Sequence, residues 1–187
     1  MPELIGLSIQ NVRCAPKVAG VKKVWLADCT RITIVVTQGL LKDEVSDYTV
    51  SNLDDLVAME FTKNKTAFFN QVQSAVNGPV DYSLQFSYEA LNAEIIYVLN
   101  IMRATCCFAA FVQLNNGLIL AVGWDYDHDT EEITEIDVPL QFKGTINSGL
   151  GNNDATTSIL EFVGQGKSFA LSTSLTAADF DDTTGHD

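Results

Sequence analysis

Asn115-Asn116-Gly117 stands between two apolar segments, 106–114 and 118–126. An Asn-Gly pair supplies the positive φ values that a tight hairpin turn needs, so these segments are expected to be antiparallel strands. A chain that contains such a hairpin is committed to a sheet, and the remaining apolar segments are short enough to join it.

The segment 31–37, Arg-Ile-Thr-Ile-Val-Val-Thr, is dense in β-branched residues that pack well on a pleated surface, and 20–27 precedes it as a strand. Between 39 and 55 the sequence turns polar and reads as a loop with a short strand around 48–50. The segments 56–62 and 67–72 flank Lys63-Asn64-Lys65 as a hairpin, and Asn77-Gly78-Pro79 makes the turn into a strand over 80–86. Further strands are expected over 133–143, 158–163 and 169–175, with the glycine-rich stretch 144–154 separating the first two.

One helix is predicted over 88–104. Leu91, Ile95, Val98, Leu99 and Met102 recur at spacings of three and four and line one face, Ser87 caps the start, and Arg103 suits the last turn. The fold class is therefore mainly β: a β-sandwich or partly closed barrel with one flanking α-helix. An extended N-terminal arm over 1–19, with Pro2, Gly6 and Pro16 between short apolar pieces, precedes a domain over 20–175, and an acidic tail over 176–187 follows it.

A chain of 187 residues that is 47% hydrophobic can bury one core unaided. Its longest apolar runs, 32–36, 106–112 and 118–122, are too short to cross a membrane as helices. Nothing at Met1-Pro2-Glu3-Leu4 marks the chain for secretion, so it is expected to fold where it is made. Cys14, Cys29, Cys106 and Cys107 fit neither a compact disulfide framework nor a Cys-x-x-Cys metal motif, and are read as reduced, mostly buried residues. With 11 Lys and Arg against 24 Asp and Glu, the net charge is −13. Such a field opposes any surface that binds nucleic acid by neutralising phosphates.

Catalytic chemistry leaves few signals. The two histidines, His128 and His186, lie in polar segments, and no nucleophile elbow, phosphate-binding loop or zinc-protease motif is present, so no enzyme activity and no cofactor are expected. The most suggestive stretch is Asp125-Tyr126-Asp127-His128-Asp129-Thr130-Glu131-Glu132, where Asp125, Asp127 and Asp129 alternate as the ligands of a calcium loop do. Thr130 replaces the turn glycine and Ile136 stands where the bidentate glutamate belongs, so a solvated acidic hairpin is the favoured reading. Trp25 and Trp124, beside strand ends, read as core or subunit-interface anchors.

Several of these segments carry a resemblance: Gly20-Val21-Lys22-Lys23-Val24-Trp25-Leu26 after a short arm, the single helix after Tyr82-Ser83-Leu84-Gln85-Phe86, the Asn115-Asn116-Gly117 hairpin leading to Gly123-Trp124, and the ending Ile159-Leu160-Glu161-Phe162-Val163-Gly164. In this order of elements, over about residues 20–175, the chain resembles tail tube proteins of tailed bacteriophages, those of Bacteroidetes-type hosts in particular. Related virion ring and neck proteins share the outline.

The resemblance implies a virion structural protein, made in the host cytoplasm, that forms rings of six copies stacked into a hollow tube and meets other tail proteins. The polar loop 39–55 and the terminal arms would make contacts between rings. DNA would be passing cargo during ejection and not a sequence-specific ligand. A lumen coated with carboxylates would repel its phosphates, and Glu131, Glu132 and Glu135 are the lumen-facing candidates because packing does not need them. The alternative is a calcium- or carbohydrate-binding β-sandwich module with its site at Asp125 and the two tryptophans.

Overall fold

A computed structural model describes residues 20–38, 43–52, 56–61, 67–88, 93–127, 130–136, 138–147 and 157–181. The arm over 1–19, the Lys63-Asn64-Lys65 turn, both histidines, Asp129 and Leu91 lie outside the described residues.

The chain enters β1 (Val21–Asp28), makes one 3-10 turn at Cys29–Arg31, and returns in β2 (Ile32–Gln38). Asp28 caps the turn, accepting hydrogen bonds from the Thr30 backbone N–H at 2.9 Å and from the Thr30 hydroxyl at 2.7 Å. The polar stretch expected as a loop contains an eight-residue strand, β3 (Asp43–Val50), antiparallel to β2. In the pairing Val35 opposes Asp47 and Val36 opposes Val45, so Ser46 is an extra residue. That bulge puts the buried Val45 and Tyr48 three apart, and a strand without period-two alternation is not legible as one.

β4 (Leu56–Glu60) and β5 (Ala67–Gln73) do not form the expected hairpin with each other. β4 pairs with β1, with Trp25 opposite Ala58, whereas β5 pairs with β6 (Val80–Tyr88), with Phe69 opposite Leu84. Among the described residues helix α1 spans Ala93–Ala104. Ser87 is not its cap but a residue of β6 opposite Ile159. Leu99 and Met102 are buried as expected, but Val98 faces outward with Ile96, Tyr97 and Ile101.

The remaining elements are β7 (Phe108–Leu114), β8 (Ile119–Val122), β9 (Trp124–Asp127), β10 (Glu132–Glu135), β11 (Val138–Asn147), β12 (Thr157–Gly166), β13 (Leu171–Thr173) and a short α2 (Ala177–Asp181). The β7–β8 hairpin is present: Gly117 has φ +90°, its N–H donates to the Leu114 carbonyl at 2.9 Å, and the Leu114 N–H donates to the Leu118 carbonyl at 2.8 Å. The strand expected over 118–126 breaks at Gly123, φ +119°, where a Cβ would come within 3.0 Å of the Ala109 Cα.

The protein is mainly β, a sandwich-like arrangement of one large mixed sheet with two helices, not a closed barrel. One layer runs β2-β3-β13-β8-β7-β1-β4, with only β13 and β3 parallel among its pairs. The other runs β11-β12-β6-β5, all antiparallel, and a single bridge from Leu140 to Phe108 joins the two. Between them lie Val24, Leu84, Phe86, Val112, Leu140 and Phe162, with Phe108 edge-on to Phe162 at 5.0 Å.

The first layer is buried on its other face as well. There Trp25, Tyr48, Phe111, Trp124 and Phe180 form a second core. Because β1 and β7 feed both cores with alternate side chains, they read as continuous apolar runs. Phe180 belongs to α2, so residues 177–181 of the acidic tail are part of the domain.

The register of β1 against β7, Asp28 opposite Phe108, also brings Cys29 beside Cys107. They form a disulfide with Cα atoms 5.6 Å apart, closing 78 residues of sequence, which corrects the reading of all cysteines as reduced. Cys106 is a free, exposed thiol, not a core residue. A pairing made across so many residues leaves no local trace in the sequence.

Candidate functional site

The acidic stretch folds as the β9–β10 hairpin, with Asp127 opposite Glu132, Asp125 opposite Thr134 and Trp124 opposite Glu135. Glu131 turns the corner with φ +59°, and the Thr130 N–H donates to Asp127 Oδ1 at 3.3 Å. Asp127, Glu131 and Glu132 are exposed. Asp127 and Glu132 share a cleft of about 360 Å³ with Asp125, Tyr126, Thr134, Lys167 and Ser168.

Asp125 differs from these neighbours. It is 4% exposed, and its carboxylate accepts from the Lys167 backbone N–H at 3.0 and 3.1 Å, from the Ser168 N–H at 3.3 Å and from the Ser168 hydroxyl at 3.2 Å. Three of these bonds converge on Oδ1 and one on Oδ2, so this residue ties the chain after β12 to β9. Gly166 makes room for the lock: a Cβ there would meet Asp125 Oδ1 at 2.8 Å and the Tyr82 hydroxyl at 3.0 Å.

Tyr82 completes the arrangement by donating to the Ser168 carbonyl. Its burial, and secondarily the nearby Asp125 charge, push the phenol pKa above its ordinary value. The hairpin therefore divides into an inner, structural carboxylate and an outer set of solvated ones.

Both tryptophans are inside the fold. Trp25 is fully buried, with its ring 4.7 Å from that of Phe180 and the Lys23 ammonium 5.1 Å above it. Trp124 is 6% exposed and packs on Phe111 at 5.5 Å. Both rings thus contribute to this chain's own core, the first of the two roles expected of them.

Two surface features were not singled out by sequence reasoning. β5 pairs with β6 on one side and, among the described strands, with nothing on the other; Phe68 and Val72 project from its outer face. An apolar groove of about 380 Å³ lies between α1 and the β1–β4 pair. The signal for the first was Phe-x-x-x-Val within one strand, which marks an apolar face but not which face is covered. No protein-family model, curated protein or solved structure matches the chain.

Proposed function

We propose that this chain is a structural subunit that joins copies of itself into rings, stacked as the tail tube of a tailed bacteriophage, through which DNA passes during ejection. The reading rests on the resemblance in order of elements and on the mainly β, sandwich-like fold with a flanking helix. One observation carries it furthest: among the described strands the β11-β12-β6-β5 layer has no partner on the outer side of β5, and its opposite strand, β11, meets the other layer through one bridge.

An exposed strand edge is a row of backbone donors and acceptors seeking a partner. Seating β5 of one copy against β11 of the next would continue the four-stranded layer from subunit to subunit, and a closed ring leaves no edge over. The outward face of that layer carries Asn70, Asp81, Ser83, Gln85 and Gln165, with Phe68, Val72 and Val163 among them, and its polar majority suits a wall in contact with water. The charge of −13 per copy would keep such a wall from holding DNA. Glu131 and Glu132, exposed on their hairpin, stay with Glu135 as candidates for the lumen.

Mass photometry and negative-stain microscopy of the purified protein, across salt concentrations, test the reading. Rings or tubes are expected. A chain that stays monomeric under all conditions ends it.

A further inference from the structure

We propose that Asp28, Cys29 and Cys107 bind one zinc ion when the Cys29–Cys107 bridge is reduced. Among the described residues this is the one place where three such donors converge: a carboxylate oxygen and the two sulfurs all lie within 4.8 Å of one another. Tetrahedral zinc holds a thiolate sulfur at about 2.3 Å and a carboxylate oxygen at about 2.0–2.2 Å, which sets neighbouring donors roughly 3.5–3.8 Å apart. Once the S–S bond is opened, side-chain rotation brings the sulfurs to that spacing. The backbone stays as it is, with Cα atoms 5.6 Å apart and the Cys29 N–H donating to the Cys107 carbonyl at 3.4 Å.

Two thiolates select zinc over the harder magnesium and calcium, and a carboxylate is an ordinary third ligand for it. Asp28 is already held in position: the Thr30 N–H and hydroxyl both donate to its Oδ1, at 2.9 and 2.7 Å, so the turn fixes one oxygen and leaves the other for a ligand. Cys29 also lines a cleft of about 330 Å³ with Ile32, Ile34, Trp124 and Thr134. That cleft is an entry path for a hydrated ion and leaves the fourth position to water. Cys106 is not a ligand, because it is exposed whereas Cys107 is buried, and the adjacent thiols point apart. Where thiols are kept reduced, a dithiol gives the bridge two electrons and two protons and is itself oxidised to a disulfide. Zinc then displaces the two thiol protons. Bridge and metal use the same sulfurs and exclude each other, and either one fastens the end of β1 to the start of β7.

The test uses tag-free protein with Cys14→Ser and Cys106→Ser, whose remaining cysteines are Cys29 and Cys107. It is stripped with a chelator, reduced with a phosphine, and titrated with cobalt(II) and then zinc. One equivalent of cobalt is expected, with an intense near-ultraviolet thiolate band that zinc abolishes, and zinc should raise the thermal midpoint of the reduced protein. The same protein oxidised to the bridge should give no band. Asp28→Asn keeps a capping oxygen for Thr30 and should weaken zinc binding by about tenfold or more, with the fold checked by far-ultraviolet circular dichroism. Absence of the band from the reduced protein, an equal signal from the oxidised protein, or full affinity in a folded Asp28→Asn variant overturns the assignment. The binding is read on single chains, so its outcome does not depend on whether rings form.

Discussion

Phe180 lies nearly parallel to Tyr48, with ring centroids 4.9 Å apart and planes 16° from coplanar, and the Tyr48 hydroxyl donates to the Asp179 carbonyl at 2.9 Å. Phe180 also packs on Phe111 at 4.5 Å and on Trp25 at 4.7 Å. A five-residue helix cannot hold itself, so this ring fastens α2 to the sheet. Phe180→Ala is expected to cost roughly 3 kcal/mol in urea unfolding, since it removes a buried aromatic from a core that cannot fully collapse. A loss under about 0.5 kcal/mol, the level of a surface change, would mean that α2 is not docked.

Asp125→Ala leaves the Lys167 and Ser168 N–H groups without their acceptor, and a loss of about 2 kcal/mol is expected from equilibrium unfolding. For the same reason the thermal midpoint of the unaltered protein should not respond to millimolar calcium. A calcium-dependent rise that Asp127→Asn abolishes would restore the cation-site alternative for this hairpin.

The raised pKa of Tyr82 has a pH signature. Burial favours the neutral phenol in the folded state, so this stabilisation is complete below the ordinary tyrosine value of about 10 and is lost as pH rises beyond it. Stability should therefore fall above about pH 10, and Tyr82→Phe should flatten that fall by up to one proton, although it also loses the bond to the Ser168 carbonyl. Equal alkaline slopes for the two proteins would remove Tyr82 as the cause.

The disulfide between Cys29 and Cys107 closes a long loop and should contribute about 2–4 kcal/mol. Cys107→Ser, or a reducing dithiol, is expected to lower stability by that amount, while Cys106→Ser, at an exposed thiol, should leave it unchanged. If dithiol has no effect on an alkylation-verified reduced protein, the bridge is not a stabilising element.

What the sequence made legible was local. The Asn-Gly turn declared the β7–β8 hairpin, and the β-branched run declared β2, because turn chemistry and side-chain shape act within a few residues. β3 was hidden by the bulge at Ser46, and the join between β4 and β5 was misread because proximity in sequence implies a hairpin only when the two strands share a sheet. Phe180 was a single aromatic in an acidic segment, and the Asp125 carboxylate looked like one ligand among several until the fold brought Lys167 and Ser168 to it. Apart from the local bulge in β3, each miss concerns a partner supplied from far along the chain, which periodicity and composition do not encode.

The last prediction concerns the edge on which assembly is proposed to depend. Phe68 is 46% exposed and Val72 45%, and across the ladder they face Gln85 and Asp81, so neither side chain is part of either core. Charged side chains on an edge strand, lysine above all, are a common way for proteins to discourage pairing with a neighbour. Phe68→Lys combined with Val72→Lys should therefore leave the fold intact, with unfolding free energy changed by less than about 1 kcal/mol for the pair of exposed sites. The same protein should fail to form rings at concentrations where the unaltered chain does, as read by mass photometry, and raised salt should recover assembly in part, since screening weakens repulsion between the added charges. A control with Val76→Lys, on the exposed turn after β5, should assemble normally. If the double variant still forms rings, subunits do not join through β5, and another edge of the sheet must carry the contact.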